Sequence, residues 1–193
     1  MRALIAERAP GLAHCISTDV LPEIREYERT STTVVNCYVL PVVGAYLKSL
    51  GAGLAALGVK APLSLMQSSG GLTPAAAAAR LPVHIIESGP AGGVVGAQAL
   101  AEPLGERNIV SFDMGGTTAK AALVVDGRAE RAEELQVGGE TIQASRLLTG
   151  QGYSVKTRAI DLAEVGAGGG SIIWIDAGGA IQIGPKSAGA SPG

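Results

Sequence analysis

The segment Ser111–Lys120, SFDMGGTTAK, places an acidic residue at the end of a predicted strand and follows it with glycines and threonines. The carboxylate of Asp113 suits a metal ion, and the glycine pair lets a ligand approach the backbone closely. The hydroxyl and amide groups of Thr117 and Thr118 suit phosphate oxygens. The segment therefore predicts a phosphate site, although the same pattern also occurs in simple turns where Asp bonds to its own backbone.

A second glycine-rich segment, Val165–Ile172, carries four glycines within five positions. A tight hairpin turn needs only one or two residues with positive backbone angles, so a turn alone does not explain the number of glycines. Close approach of the backbone to a ligand explains it better, and a flexible loop is the alternative.

The third segment is ESGPAGGVVGA, Glu87–Ala97, which leads into a predicted helix. The free amides at a helix start favour an anion, whereas glycines inside the helix favour close packing. The glycines in question are Gly92, Gly93 and Gly96. A carboxylate next to an anion repels it, so we expect Glu87 to hold a metal ion, a water molecule or a substrate amide.

These segments alternate with apolar runs that predict helices and strands. Apolar residues at steps of three and four predict a helix over Thr33–Leu57, with Pro41 as a kink or in the first turn, and the charged stretch 23–29 before it is interpreted as a solvated connector. Two strand-loop-helix units are predicted next. Their strands are Pro62–Met66 and Pro82–Ile86, and their helices are Ala75–Ala79 and Ala91–Leu100.

Two hairpins complete the predicted elements. The first pairs Ile109–Phe112 with Ala119–Val125, and the second pairs Ile172–Ile175 with Ala180–Ile183. Residues 128–160 give weaker signals of edge strands and loops, and the last ten residues are predicted to be a loop.

Composition excludes several classes of partner. The chain has 193 residues, of which 47% are hydrophobic and 17% charged, with a formal net charge of −2. Neither nucleic acid nor an anionic membrane is an expected partner of such a chain. The first ten residues do not resemble a signal peptide, and we find no apolar run of membrane-spanning length. Cys15 and Cys37 lack metal-ligand spacing and are interpreted as small buried residues, so a cytoplasmic location is expected.

Six segments together resemble the hydantoinase A/5-oxoprolinase family in order and rough spacing, and they cover nearly the whole chain. They are IREYERTSTTVVN, MQSSGGL, IESGPAGGVVGA, SFDMGGTTAK, IDLAEVGAGGGS and GPKSAGASPG. The family includes ATP-hydrolysing hydantoinases and 5-oxoprolinases, and its relatives include subunits of ketone carboxylases. The resemblance implies an α/β fold of the actin-like ATPase type, shared with sugar kinases and heat-shock chaperones, present here in part with a mixed sheet and flanking helices.

The resemblance also implies ATP and magnesium, or another divalent metal, as cofactors. Asp113 is then the catalytic residue and metal ligand. The nucleotide-binding residues are expected to be Gly115, Gly116, Thr117, Thr118, Lys120, Gly166, Gly168, Gly169, Gly170 and Ser171. Many family members carry Asp in place of Lys120 and some carry His in place of Ala163, so the resemblance does not imply a metal site at these two positions. Lys120 is expected either to contact phosphate directly or to face solvent.

By the same resemblance we expect residues 1–35 to be a connector and residues 36–193 a nucleotide-side α/β portion, without the amino-terminal phosphate loop and the carboxy-terminal region of relatives. The expected activity is ATP-dependent hydrolysis of a cyclic amide of the hydantoin or 5-oxoproline type, by phosphoryl activation of the carbonyl within a larger enzyme that includes a hydantoinase B-type subunit. One alternative is a subunit of an ATP-dependent ketone carboxylase. Another is a non-catalytic fragment or assembly module, and a stand-alone kinase-like ATPase ranks last.

Overall fold

The computed structural model describes residues 2–137 and 152–189. Five α-helices lie in the first half of the described chain: α1 (Arg2–Arg8), α2 (Ser17–Val20), α3 (Glu26–Ala56), α4 (Ala75–Arg80) and α5 (Ser88–Ala101). Short 3-10 turns follow α4 and α5, at Pro82–Ile85 and Glu102–Leu104. The predicted helices at 75–79 and 91–100 are confirmed, with α5 starting three residues earlier than expected.

Helix α3 extends the predicted helix by two turns at its start. The prediction that residues 23–29 form a connector is wrong from Glu26 onwards, and the helix continues through residues 35 and 36. Pro41 lies in the helix interior, not in its first turn. Thr32 and Thr33 donate their hydroxyls to the carbonyls four residues earlier, at 2.6 Å each, which is a bonding pattern of threonines that lie inside a helix.

By length and composition, α3 is apolar enough to cross a membrane, so the expectation that no apolar run reaches membrane-spanning length is wrong. Its exposed side chains include Val34, Tyr38, Val42 and Tyr46. Core helices of globular proteins meet the same two criteria, so the finding by itself does not place the chain in a membrane.

The strands of the central sheet are β3 (Ile109–Met114), β4 (Ala119–Val125), β5 (Arg128–Ala129) and β10 (Ala163–Val165). Their order in the sheet is β10-β4-β3, and β5 is also paired to β4. The predicted hairpin of β3 and β4 is confirmed. All three pairings are antiparallel, and Lys120 lies opposite both Asp113 and Glu164. These three side chains therefore emerge on the same face of the sheet.

The other strands form two-stranded pairs. They are β1 (Ser64–Met66) with β2 (Leu72–Pro74), β6 (Arg131–Ala132) with β9 (Ala159–Ile160), β7 (Leu135–Val137) with β8 (Tyr153–Val155), and β11 (Ser171–Ile175) with β12 (Ile181–Ser187). The predicted hairpin over 172–183 is confirmed. Residues 184–187, predicted as loop, belong to β12. Of the segment 128–160, in which the sequence signals were weak, residues 138–151 lie outside the described residues.

The strand predicted over Pro82–Ile86 is wrong, because Pro82–Ile85 form a 3-10 turn. Val83 is fully buried, and its backbone N–H donates to Oδ1 of the buried Asn36 at 3.2 Å. The Asn36 amide also donates to the Arg80 carbonyl at 3.4 Å. A side chain of α3 therefore supplies the acceptor that a neighbouring strand would otherwise provide.

Two apolar clusters form the core. One joins Val20, Val83, Ala132, Leu135, Val155 and Ala159, and the other packs Ala91 and Val94 of α5 against Ala122, Val124, Ile160 and Leu162. The face of the central sheet that carries Lys120 is thus covered by α5. The opposite face exposes Val110, Phe112, Leu123, Val125 and Val165. Cys15 and Cys37 are half-buried and are not joined in a disulfide.

We predict that Asn36→Ala lowers the free energy of unfolding by about 1–3 kcal/mol, because it leaves the buried N–H of Val83 without an acceptor. Lys48→Ala, an exposed truncation in the same helix, is the control and should change it by less than about 0.5 kcal/mol. Urea unfolding of the three proteins measures the difference. Equal effects of the two substitutions would contradict this role of Asn36.

We also predict that His84 makes folding pH-dependent. Burial lowers the pKa of His84 below its ordinary value of 6.5, and Nδ1 lies 2.7 Å from the Thr157 hydroxyl. Below pH 6.5 the unfolded chain therefore takes up a proton on His84 that the folded chain does not bind. The contribution of His84 to the free energy of unfolding is full above pH 6.5 and falls as the pH drops toward the folded-state pKa.

Between pH 6.5 and the folded-state pKa the loss approaches about 1.4 kcal/mol per pH unit, and it levels off below the folded-state pKa. His84→Gln should reduce this slope in unfolding experiments between neutral and mildly acidic pH. His14→Gln, at a histidine that is only partly buried, serves as the control. If His84→Gln and the parent protein lose stability in parallel, the prediction fails.

Candidate functional site

The loop between β3 and β4, residues 115–118 (the first loop), is closed by a hydrogen bond from the Gly115 N–H to the Thr118 carbonyl at 2.9 Å. Within the described residues, the backbone N–H groups of Gly116, Thr117 and Thr118 have no hydrogen-bond acceptor. The first two of these are exposed. The first loop therefore presents consecutive free amide donors, which is the arrangement that binds an oxyanion.

Residues 166–171 (the second loop) lie directly against the first loop. The N–H groups of Gly169 and Gly170 donate to the carbonyls of Gly115 and Gly116, at 2.9 and 2.8 Å. Ser171 closes the second loop, because its Oγ accepts from the Gly168 N–H at 2.8 Å. The structure thus brings together the two glycine segments that the sequence analysis had predicted separately.

The close approach that requires glycine is made between the loops themselves. A Cβ atom on Gly168 would lie 2.7 Å from the Gly115 carbonyl oxygen and 2.7 Å from the Thr117 nitrogen. One on Gly170 would lie 2.9 Å from the Gly116 oxygen and 2.9 Å from Ser187 Oγ. The sequence analysis attributed these glycines to a ligand, but the backbone of the first loop is what they contact. Gly166, by contrast, is exposed.

Asp113 lies on β3 just before the first loop and is exposed. Its Oδ2 is near Gly93 of α5, where a Cβ atom would lie 3.8 Å away, an ordinary contact. The carboxylate thus lies at the end of the sheet that carries the free amides. Over residues 2–137 and 152–189, no group of three or more acidic, His or Cys side chains could hold a metal ion.

Lys120 faces two carboxylates, so the prediction that it faces solvent is wrong. Its Nζ lies 2.8 Å from Glu87 Oε2 and 3.6 Å from Glu164 Oε1. The side chains of Lys120, Glu87 and Glu164 are only 16%, 6% and 8% exposed. Glu87 thus holds an ammonium group where the sequence analysis expected a metal ion, water or amide. Direct contact of Lys120 with phosphate stays a prediction.

Opposing influences act on the pKa of the Lys120 ammonium. Burial lowers this pKa, but the hydrogen bond and negative charge of Glu87, together with those of Glu164, outweigh burial and raise it above the ordinary value. Lys120 is therefore a charged ammonium group at neutral pH.

Sequence reasoning missed two residues that position this cluster. Ser68 is fully buried, accepts from the Glu87 N–H at 3.2 Å and donates to the His84 carbonyl at 3.1 Å. Glu164 was noted only as an acidic residue before the second loop. Acidic, basic and acidic residues face one another across three strands, at Asp113, Lys120 and Glu164. This row could have revealed the role of Glu164, but only if the pairing of β10 with β4 had been known.

Gly96, predicted to allow close helix packing, has open space around its position, whereas a Cβ atom on Gly92 would lie 3.7 Å from Met66 Cγ. His84 bonds to Thr157, and the ring of His14 lies 2.9 Å from the Leu12 carbonyl. Within the described part of the chain, neither histidine has a carboxylate or cysteine as a hydrogen-bond partner.

We predict that Gly168→Ala destabilises the protein by about 1–3 kcal/mol, because the added methyl group overlaps the backbone of the first loop. Gly169→Ala is the matched control, since a Cβ atom there meets only the Gly115 oxygen at 3.7 Å. That control should be neutral or stabilising by up to about 1 kcal/mol. Urea unfolding midpoints measure both, and similar losses would show that the loops are not packed in this way.

The fold and its sequence are similar to those of known ATP-dependent enzymes. The crystal structure of an ATP-dependent caprolactamase from Pseudomonas jessenii is 39% identical, with a TM-score of 0.74 over 100% of this chain and 26% of that chain. A nucleotide-free acetone carboxylase structure is 31% identical, with a TM-score of 0.71 over 90% of this chain and 22% of that one. These likenesses confirm the predicted α/β fold of the actin-like ATPase type.

Among curated proteins, caprolactamase subunit alpha of Pseudomonas jessenii is 38% identical over 191 residues, which are 99% of this chain and 26% of that protein. The chain thus spans 26% of the length of this relative and 13% of the length of the 5-oxoprolinase of Saccharomyces cerevisiae, to which it is 34% identical over 189 residues. The profile of the family described as Hydantoinase/oxoprolinase matches residues 29–193, most of the chain. On this evidence the chain belongs to the hydantoinase/oxoprolinase family.

Proposed function

We propose that this chain is the nucleotide-side portion of an enzyme that uses ATP to hydrolyse a cyclic amide of the hydantoin, lactam or 5-oxoproline type. The observation that carries the proposal is the contact of two glycine loops beside Asp113, which leaves consecutive amides of the first loop free. Membership of the family supports ATP use, and the similarity to a caprolactamase supports a cyclic amide.

The proposed chemistry overcomes the low reactivity of an amide carbonyl. The carbonyl oxygen attacks the terminal phosphorus of ATP and ADP leaves, and the carbon of the O-phosphorylated amide is a better electrophile for water. One water adds to this carbon and the C–N bond breaks, which opens the ring to an amine and an acyl phosphate. A second water then hydrolyses the acyl phosphate to the carboxylate and phosphate. Phosphoryl transfer depends mainly on positioning and on stabilising charge at the phosphoryl oxygens.

In this proposal, each predicted site residue has a defined task. The free amides of Gly116, Thr117 and Thr118 donate to phosphate oxygens, and the threonine hydroxyls add further donors. Gly168 and Gly170 act indirectly, because they hold the first loop in the conformation that leaves those amides free. Gly166 and Ser171 belong to the second loop, which Ser171 closes by accepting from the Gly168 N–H. The Asp113 carboxylate orients the metal ion or a water molecule.

The described residues fit a magnesium ion that arrives with the nucleotide. Magnesium retains several waters and is often held by one or two carboxylates together with substrate phosphates. Asp113, exposed beside the first loop, supplies one such carboxylate. A preformed metal cage is not needed for this role.

A ketone carboxylase subunit is the second candidate, because the acetone carboxylase structure has nearly the same TM-score as the caprolactamase. The same loops would then position ATP for phosphoryl activation in a carboxylation. Because curated relatives include subunits, we propose that a second, hydantoinase B-type subunit completes the enzyme in either case.

We predict that the chain binds a non-hydrolysable ATP analogue with magnesium, and that Asp113→Ala weakens this binding about tenfold or more, which corresponds to about 1.4 kcal/mol. Glu106→Ala, which removes an exposed carboxylate before the start of β3, at the end of that strand opposite to the first loop, is the control and should leave the affinity unchanged. Calorimetric titration measures all three. Absence of binding, or equal binding by Asp113→Ala, would contradict the assignment of this site.

The substrate class can be tested with the enzyme assembled with its partner subunit. Phosphate release from ATP should rise when a lactam, a hydantoin or 5-oxoproline is added, and ring-opened amino acid should accumulate. Stimulation by a ketone with bicarbonate, and not by any cyclic amide, would favour the carboxylase instead.

A further inference from the structure

Glu87, Lys120 and Glu164 form a nearly buried charged cluster, which we call the Lys120 cluster. It contains two carboxylates and one ammonium group, with distances of 2.8 and 3.6 Å between Nζ and the two carboxylate oxygens. None of its side chains is more than 16% exposed. Two carboxylates at this depth are costly unless a cation pairs with them.

The cluster lies beside the proposed nucleotide site. Lys120 follows the first loop by two residues and pairs across the sheet with Asp113. Directly opposed residues on antiparallel strands have Cβ atoms about 4.5–5.5 Å apart, so Asp113 and Lys120 are close neighbours. Any uncompensated negative charge in the Lys120 cluster would therefore act on the phosphates bound at the first loop.

The ammonium group of Lys120 is directed at Glu87 and Glu164. Its strongest contact, with Glu87, joins the start of α5 to β4, and its second contact joins β4 to β10. The ammonium nitrogen therefore lies between carboxylate oxygens, as a bound metal cation would.

We propose that Lys120 is a positioning residue whose ammonium group is a built-in counter-cation: it pairs with Glu87 and Glu164 beside the nucleotide site, so that one negative charge remains of their two, and it does not itself bind phosphate. The effect on nucleotide rests on the proposed function, whereas the pairing of charges does not. A corollary concerns metal ions. Without the ammonium group, the two carboxylates would offer oxygen ligands to a divalent cation.

The first test is independent of nucleotide and uses Mn²⁺ alone. Titration followed by electron paramagnetic resonance should show a Mn²⁺ site in Lys120→Ala that the parent chain lacks. Adding Glu87→Gln to Lys120→Ala should abolish that site, and Lys48→Ala should behave as the parent. Failure of folded Lys120→Ala to bind Mn²⁺ more tightly than the parent would overturn the counter-cation assignment.

The second test separates neutralisation from direct contact with phosphate. Lys120→Met should weaken binding of the ATP analogue about tenfold or more, because it leaves two unpaired negative charges near the phosphates. Lys120→Met combined with Glu87→Gln has the same net charge as the parent cluster and should recover most of the affinity. A double variant as weak as Lys120→Met would overturn the proposal in favour of direct phosphate contact.

Folding provides a further readout if Lys120→Met is too unstable for titration. The double variant should then have a higher Tm than Lys120→Met, since it removes one of the unpaired buried carboxylates. A lower Tm for the double variant would overturn the assignment. If the parent chain binds no nucleotide, the proposed function fails, and the Mn²⁺ titration and the Tm comparison alone decide the role of Lys120.

Discussion

Residues 115–117 and 168–170 approach each other so closely that two positions of the second loop have no room for a side chain. Hydrogen bonds from Gly169 and Gly170 then occupy the carbonyls of Gly115 and Gly116, whereas three N–H groups of the first loop stay without an acceptor in the described residues. The N–H donors of the site are thus the groups of the first loop that the loop–loop contact leaves without a hydrogen-bond partner. Without the second loop, the first loop would be a solvated hairpin connection with no reason to keep one conformation.

The register of the central sheet sets the charges around these donors. Because β4 pairs with both β3 and β10, one cross-strand row alternates between acidic, basic and acidic side chains. Helix α5 covers this row and adds Glu87 at its start, and the buried hydroxyl of Ser68 fixes the Glu87 backbone. The site therefore combines an exposed donor loop with a largely dehydrated set of paired charges immediately below it.

Local patterns predicted the parts of the fold in which neighbouring residues determine the structure. The β3–β4 and β11–β12 hairpins follow from alternating apolar runs around turns, and the core of α3 follows from its apolar spacing. The 3-10 turn at Pro82–Ile85 depends on Asn36, which is 47 residues from its partner Val83, so an apolar run alone could not distinguish it from a strand. The start of α3 was missed because charged residues occupy its first turn and no side-chain cap marks it.

For the site, sequence patterns located both glycine loops but not the reason for their glycines. They also placed Lys120 among the phosphate ligands or in solvent, because its two acidic partners lie 33 and 44 positions away and on different elements. Charge pairing of this kind depends on strand order, which short motifs do not encode. The position of Asp113 at the end of β3 was local information and was predicted correctly.

The tight packing of Gly168 has a consequence for how such sequences diverge. A descendant that stopped using nucleotide would still need glycine at this position to keep its loops together, so selection for folding alone would preserve the pattern. The glycines would then be kept after the chemistry was lost. Loss of catalysis would show first at exposed polar positions such as Asp113, whose replacement leaves the backbone undisturbed.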